Sequence, residues 1–298
     1  MEVKELTIFQ ADSLIVNDHY RDNPNYLIEY DESSTNEYCI IYFSSNDLYY
    51  PNSDIAFSET IVKKNRFEWY GNRINYGHKH IFFRDIKKQW YLTGVNNTLN
   101  SPMEMAEFIR SESIGYKLIL VGSSAGGFIS VILGQLLDAE RIYTFNGQFE
   151  ILSLSNKSDS QIVNPILYRN KSNSILLPYY DTFNFILKPS SIYYFQSCNS
   201  DWDKVQYSHI NGAAINKISF KTSNHGIPFL KSNMSVVLNL SIKELRKMSG
   251  STSHPLFFSI KMVGLFRTLE GLLPIVQFAL NKIYINTIQK WKKNIDTI

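Results

Sequence analysis

Val121-Gly122-Ser123-Ser124-Ala125-Gly126-Gly127 stands between an apolar run at 116–121 and a second, helix-length apolar run at 128–137. The order reads as strand, sharp turn, helix. The turn itself spells G-x-S-x-G with Ser124 at its centre, which is the pattern of a nucleophile elbow. A serine held in a strained turn needs neighbours without side chains, so that strand and helix can approach closely. Gly122 and Gly126 supply them. The pentapeptide alone is common, and its setting between a strand and a helix gives it weight.

Working outward, strands and helical stretches alternate. Runs at 6–10 and 26–30 read as short early strands, in the manner of a hairpin. A stronger strand, YCIIYF at 38–43, ends in Ser44-Ser45-Asn46-Asp47. KHIFFR at 79–84 is another. A helix is expected over 103–111, with Ser101-Pro102 as its start. Further strands fall at 141–145, 191–196 (SIYYFQ) and 216–220 (NKISF). This alternation predicts an α/β fold with a mostly parallel sheet and helices on both faces. The stretch 148–189 is irregular and rich in Ser, Asn and Tyr; a cap-like insertion over a site and a plain excursion both fit it. After His225 the chain reads as helical throughout, with helices at 229–248, 256–268 and 272–293. The expected organisation is a catalytic unit over 1–235 and a C-terminal helical extension over 236–298.

Composition narrows the class. The 298 residues are 44% hydrophobic, enough for a sizeable core, and the net charge is only +3. No basic stripe of the kind that tracks nucleic acid is seen. The two cysteines, Cys39 and Cys198, lie in or beside apolar strand-like runs and read as free thiols. No Cys/His cluster has zinc spacing, so no metal is expected. The first residues, Met1-Glu2-Val3-Lys4-Glu5, are charged and lack the apolar stretch of a secretory signal. No run reaches membrane-spanning length. A cytoplasmic protein is expected.

A serine hydroxyl becomes nucleophilic when a histidine takes its proton, and that histidine needs a carboxylate to hold its tautomer. In the α/β-hydrolase arrangement the chain order is Ser, then Asp or Glu, then His, with the last two in loops after late strands. Both are present here. Asp201 and Asp203 follow 191–196, and His225 follows 216–220 in Ser223-Asn224-His225-Gly226. Two acids spaced by two residues share a face in an extended stretch, so alternation leaves both open. Asp203 also opens what looks like a helix, where a carboxylate serves equally as a cap. An oxyanion needs preorganised donors. The N–H of Ala125, the residue after the nucleophile, is the first candidate, and Ser45, in the loop after YCIIYF, is the second.

With these residues quoted, the chain resembles the α/β-hydrolase-fold polysaccharide O-acetyltransferases of bacterial capsule loci. The resemblance rests on Phe83-Arg84-Asp85 with Trp90-Tyr91, the elbow Gly122 to Gly127, Asp203-Lys204-Val205-Gln206, and His225-Gly226-Ile227-Pro228. Together they span about residues 40 to 230. It implies acetyl-CoA as donor, a polysaccharide or oligosaccharide hydroxyl as acceptor, and Asp203 rather than Asp201 as the acid. Under it, Tyr168, Tyr179 and Tyr180 become candidates for an acceptor cleft. Asp85 and Trp90 either shape a substrate site or are structural, with Asp85 pairing to Arg84 or Lys87. A serine esterase with water as acceptor, and a non-catalytic binding or assembly protein on the same fold, are the competing readings.

Residues 256–280 are strongly apolar, and the stretch after them carries Lys282, Lys290, Trp291, Lys292 and Lys293. A helical pair packed on the domain, a homo-oligomer contact and a peripheral anchor at the inner face of the cell membrane all fit this composition.

Overall fold

The computed structural model describes residues 11–34, 37–156, 164–274, 276–277 and 280. Among the described residues eight strands form one sheet: β1 (Tyr26–Tyr30), β2 (Tyr38–Phe43), β3 (Gly77–Phe83), β4 (Lys117–Ser123), β5 (Arg141–Phe145), β6 (Ile192–Ser197), β7 (Asn216–Phe220) and β8 (Thr252–Ser253). Their spatial order is β1-β3-β2-β4-β5-β6-β7-β8. Only β1 runs antiparallel to its neighbour; every other pairing is parallel. This is an α/β-hydrolase-like sheet. Because parallel strands end on one edge, the loops after β2, β4, β5, β6 and β7 gather there.

The helices are α1 (Leu14–Asp22), α2 (Asp54–Phe57), α3 (Pro102–Glu112), α4 (Ala125–Leu136), α5 (Leu152–Asn156), α6 (Pro165–Asn170), α7 (Asp201–His209), α8 (Met234–Leu238), α9 (Ile242–Met248) and α10 (Pro255–Val263). Two-residue alternation sorts the strand side chains into two apolar layers. Cys39, Ile41, Phe43, Leu118 and Leu120 join one layer with Met105, Ile109 and Phe128 of α3 and α4. Ile40, Tyr42, Ile119 and Val121 join the other with Val237, Leu245 and Phe258 of α8, α9 and α10. Both faces of the sheet are therefore covered, which is why its strands are continuously apolar.

Several sequence expectations change. The expected strand at 6–10 lies outside the described residues. The strand at 26–30 pairs with β3, the hairpin expected with 6–10 involves residues outside those described, and α1, which precedes β1, was not foreseen. The single helix expected over 229–248 is broken. Ser241 accepts from the Glu244 N–H at 3.3 Å while the Glu244 carboxylate accepts from the Ser241 N–H at 2.8 Å. This capping box starts a new helix inside the apolar run. The expected all-helical end also contains β8, which adds to the open edge of β7. Gly264, with φ 83°, ends α10 before helical residues resume at 265. The part of the expected 272–293 helix beyond residue 280 lies outside the described residues.

The 148–189 stretch joins β5 to β6. Its described part carries α5, α6 and short 3-10 turns. Leu167, Leu176 and Tyr180 are buried in the layer that contains α4. Tyr180 is thus part of the core and not a wall of an open cleft.

Candidate active site

Ser124 opens α4 with φ 50° and ψ −119°, a conformation a non-glycine residue adopts only under constraint. The constraint is visible at the two glycines. A Cβ on Gly122 would lie 2.1 Å from the Gly126 carbonyl oxygen, and one on Gly126 would lie 2.3 Å from the Phe43 carbonyl oxygen. The turn therefore wedges between β4 and the loop after β2. The Ser124 N–H is fixed to the Phe145 carbonyl at 3.0 Å.

Ser124 Oγ lies 2.9 Å from His225 Nε2, and His225 Nδ1 lies 2.8 Å from Asp203 Oδ1. A carboxylate only accepts, so Nδ1 carries the imidazole proton and Nε2 offers its lone pair to the serine hydroxyl. Asp203 is buried, whereas the His225 side chain is 38% exposed. Asp201 is excluded from this chain of hydrogen bonds. Its side chain is 97% exposed and pairs with Lys204 at 2.9 Å. Because α7 begins at Asp201, the two acids sit on a helix, where positions two apart point in different directions. The second Asp203 oxygen is buried with no hydrogen-bond partner among the described residues.

Three buried amides hold this arrangement: Gln148 and Asn146, which sequence reasoning passed over, and Gln206, quoted there in a motif but given no role. Gln148, in the loop after β5, donates its amide to Ser124 Oγ at 3.1 Å and lies 3.3 Å from His225 Nε2. Its amide oxygen accepts from the Trp90 indole N–H at 3.3 Å. Indole only donates, so Trp90 fixes which end of the amide faces the serine. With Oγ accepting from Gln148, the serine's own proton is turned toward His225. Asn146 donates to the Gly226 carbonyl at 2.9 Å and to Ser197 Oγ at 2.7 Å, tying the histidine loop to the end of β6. Gln206 lies one helical turn after Asp203 on α7. It accepts from the N–H groups of Phe149 and Glu150 at 2.6 and 3.0 Å. The Asp-x-x-Gln spacing thus serves two loops from one helix face: the acid meets the histidine, and the amide holds the segment bearing Gln148. The available signal was positional, since the loop after β5 ends on the same sheet edge as the others.

Asp85 is structural. It is buried and accepts from the backbone N–H groups of Lys87, Gln89 and Tyr91 at 3.1, 2.7 and 2.9 Å. Burial pushes its carboxyl up to about 6 against those hydrogen bonds. The expected pairing with Arg84 is not made; that guanidinium donates to Asn25 and Asn65. The loop Asp85 organises has positive φ at Lys88, Trp90 and Tyr91. Trp90, in this loop, reaches Gln148.

The two expected oxyanion donors differ in their partners. The Ala125 N–H is at the first turn of α4 and has no hydrogen-bond partner among the described residues. The Ser45 N–H donates to the Glu68 carboxylate, which also accepts from Ser45 Oγ at 3.0 Å. Burial holds the Glu68 carboxyl above its ordinary value. No group of three or more His, Cys, Asp or Glu among the described residues has the arrangement of a metal site.

No family model matches the chain, and no curated protein does. Among solved structures it is similar to the capsule O-acetyltransferase of Neisseria meningitidis serogroup A, at 16% identity, over 76% of this chain and 91% of that one, with a TM-score of 0.46. A mutant of that enzyme in complex with CoA is matched at 14% identity, over 76% and 90% of the two chains, with a TM-score of 0.45. An S-formylglutathione hydrolase from Agrobacterium tumefaciens is matched at 10% identity, over 76% and 90%, with a TM-score of 0.43.

Proposed function

We propose that this chain is an O-acetyltransferase that moves an acetyl group from acetyl-CoA to a hydroxyl of a bacterial surface polysaccharide through an acetyl-Ser124 intermediate. The observation that carries the acyl-transfer reading is the hydrogen-bonded series Ser124–His225–Asp203 on a strained elbow. The acetyl donor and sugar acceptor rest on the four-part motif resemblance.

In the proposed cycle, Ser124 Oγ attacks the thioester carbonyl carbon while His225 Nε2 takes the hydroxyl proton. Asp203 stabilises the imidazolium that results. The Ala125 N–H receives the developing oxyanion. The carbon–sulfur bond breaks, and the thiolate leaves with the proton from His225. A sugar hydroxyl then attacks the acetyl-serine ester, giving its proton to His225, which returns it to Ser124. Gln148 is a positioning residue that keeps the serine proton aimed at the imidazole. Ser45 serves as the second oxyanion donor once Glu68 is neutral or displaced, because a carboxylate beside an oxyanion repels it.

Mass spectrometry after exposure to acetyl-CoA tests the first half-reaction. One acetyl group on the Ser124 peptide is expected, and its absence from intact, folded protein would sink the reading. Hydrolysis is the second reading, favoured by the partial exposure of Ser124 and His225, which leaves water a path to the ester. CoA release that is independent of added polysaccharide supports it.

A further inference from the structure

The charge on this chain is divided unevenly. Residues 241–298 hold nine of its 30 Lys and Arg but three of its 27 Asp and Glu, a net +6, which leaves −3 on the first 240 residues. The same terminal part carries an apolar surface. Residues 265–274 are helical, as are 276, 277 and 280. Leu265, Phe266, Leu269, Leu273, Val276 and Leu280 are each at least half exposed, and Phe266 is 83% exposed. At helical spacing these six fall within an arc of roughly 100°. The opposite flank is the one that docks: Thr268 is buried, and Gly271 lies against Ser232. The stripe therefore faces away from the domain.

The exposed cations lie in the same region. Lys261 of α10 and Arg267 are exposed, and Lys243, Arg246 and Lys247 are exposed on α9. Between α9 and α10 lies an open groove of about 480 Å³. Its walls combine Met248, Phe257 and Met262 with Lys247, His254 and Lys261, and Glu244 is also at its lining. Phe257, at 70% exposure, stands one turn before Lys261 on α10. On the stripe's own helix, going round from its edge, the exposed Glu270 comes first and Arg267 next. An apolar helix face in a terminal part with a cation excess is the chemistry of a surface that meets lipid chains and anionic headgroups together. No described helix is long and apolar enough to cross a membrane. A second copy meeting the same face would bring together two regions that are each net positive over 241–280, with five Lys and Arg against two Glu, which charge opposes.

We infer that residues 255–274 with 276, 277 and 280 form a peripheral docking face for an anionic lipid surface, with the six-residue stripe entering the interface and the cations of α9, α10 and Arg267 meeting lipid phosphates.

Cosedimentation of the full chain with vesicles tests this. Binding is expected to vesicles of phosphatidylcholine mixed with phosphatidylglycerol, to be about tenfold or more weaker with phosphatidylcholine alone, and to fall as salt is raised. Phe266→Glu with Leu269→Glu changes only exposed side chains, and an unaltered thermal unfolding curve identifies a folded variant. It should lose the binding, and Lys261→Glu with Arg267→Glu should lose the preference for the anionic vesicles. Wild-type chain remaining in the supernatant with both vesicles overturns the inference. So does equal binding by the stripe variant. A wild-type dimer by light scattering that becomes monomeric in the stripe variant also overturns it, by making a second copy the occupant.

Discussion

The carboxyl edge of the sheet and the terminal helices treat exposed chemistry in opposite ways. At the edge, reactive polar groups are held by partners on several strands. Ser124 is bound by β5 through its N–H, by His225 through its hydroxyl, and by Gln148 as donor. The terminal helix instead presents a row of apolar side chains with little beneath them. A site that must place atoms within tenths of an ångström requires many simultaneous constraints. A surface that meets a fluid partner requires only a face of the right chemistry.

Breaking the first region should have the largest consequences. Ser124→Ala removes the proposed nucleophile and should lower kcat by about a millionfold while the fold persists, read by acetyl-CoA turnover and circular dichroism. Asp203→Asn keeps the shape but favours the wrong imidazole tautomer, and should cost about ten-thousand-fold in kcat. Asp201→Asn, on the same helix but in solvent, should leave turnover near wild type, which sharpens the assignment of the acid. Gln148→Ala should lower kcat roughly ten- to hundredfold with a smaller change in KM, since it acts through the orientation of the hydroxyl.

A smaller effect is expected at Glu68. Its carboxyl is raised by burial, so it is neutral at low pH and ionises as pH climbs through its raised value. The ionised form opposes charge at the Ser45 N–H. Glu68→Gln should therefore increase kcat a few-fold on the alkaline side, and the ratio of variant to wild type should fall toward one as the pH is lowered. A ratio that stays constant with pH breaks the link between Glu68 and the oxyanion. Smallest of all, the stripe variant with Phe266→Glu and Leu269→Glu should leave turnover of a soluble ester unchanged while altering vesicle binding.

Much of the candidate site was legible before the structure. The apolar runs flanking Gly122 to Gly126 required a strand and a helix, and the loops after 191–196 and 216–220 brought an acid and a histidine in the right order. Gln148 and Asn146 were not legible, because amide side chains carry no periodic signal, and the Asp-x-x-Gln motif marked Gln206 without showing what it binds. Their roles exist only between loops distant in the chain. Glu68 was missed for the same reason: nothing local to Phe67-Glu68-Trp69 points to Ser45.

Sequence alone determined what depends on local sterics and pattern: the parallel α/β layering, the glycines flanking Ser124, and the order of serine, acid and histidine. Tertiary structure decided what depends on long-range packing. It chose Asp203 over Asp201, because α7 starts one residue after Ser200 and turns the two acids apart. It engaged the Ser45 N–H with Glu68. It also left the 265–280 stripe facing outward, because the side of that helix bearing Thr268 and Gly271 meets the domain first.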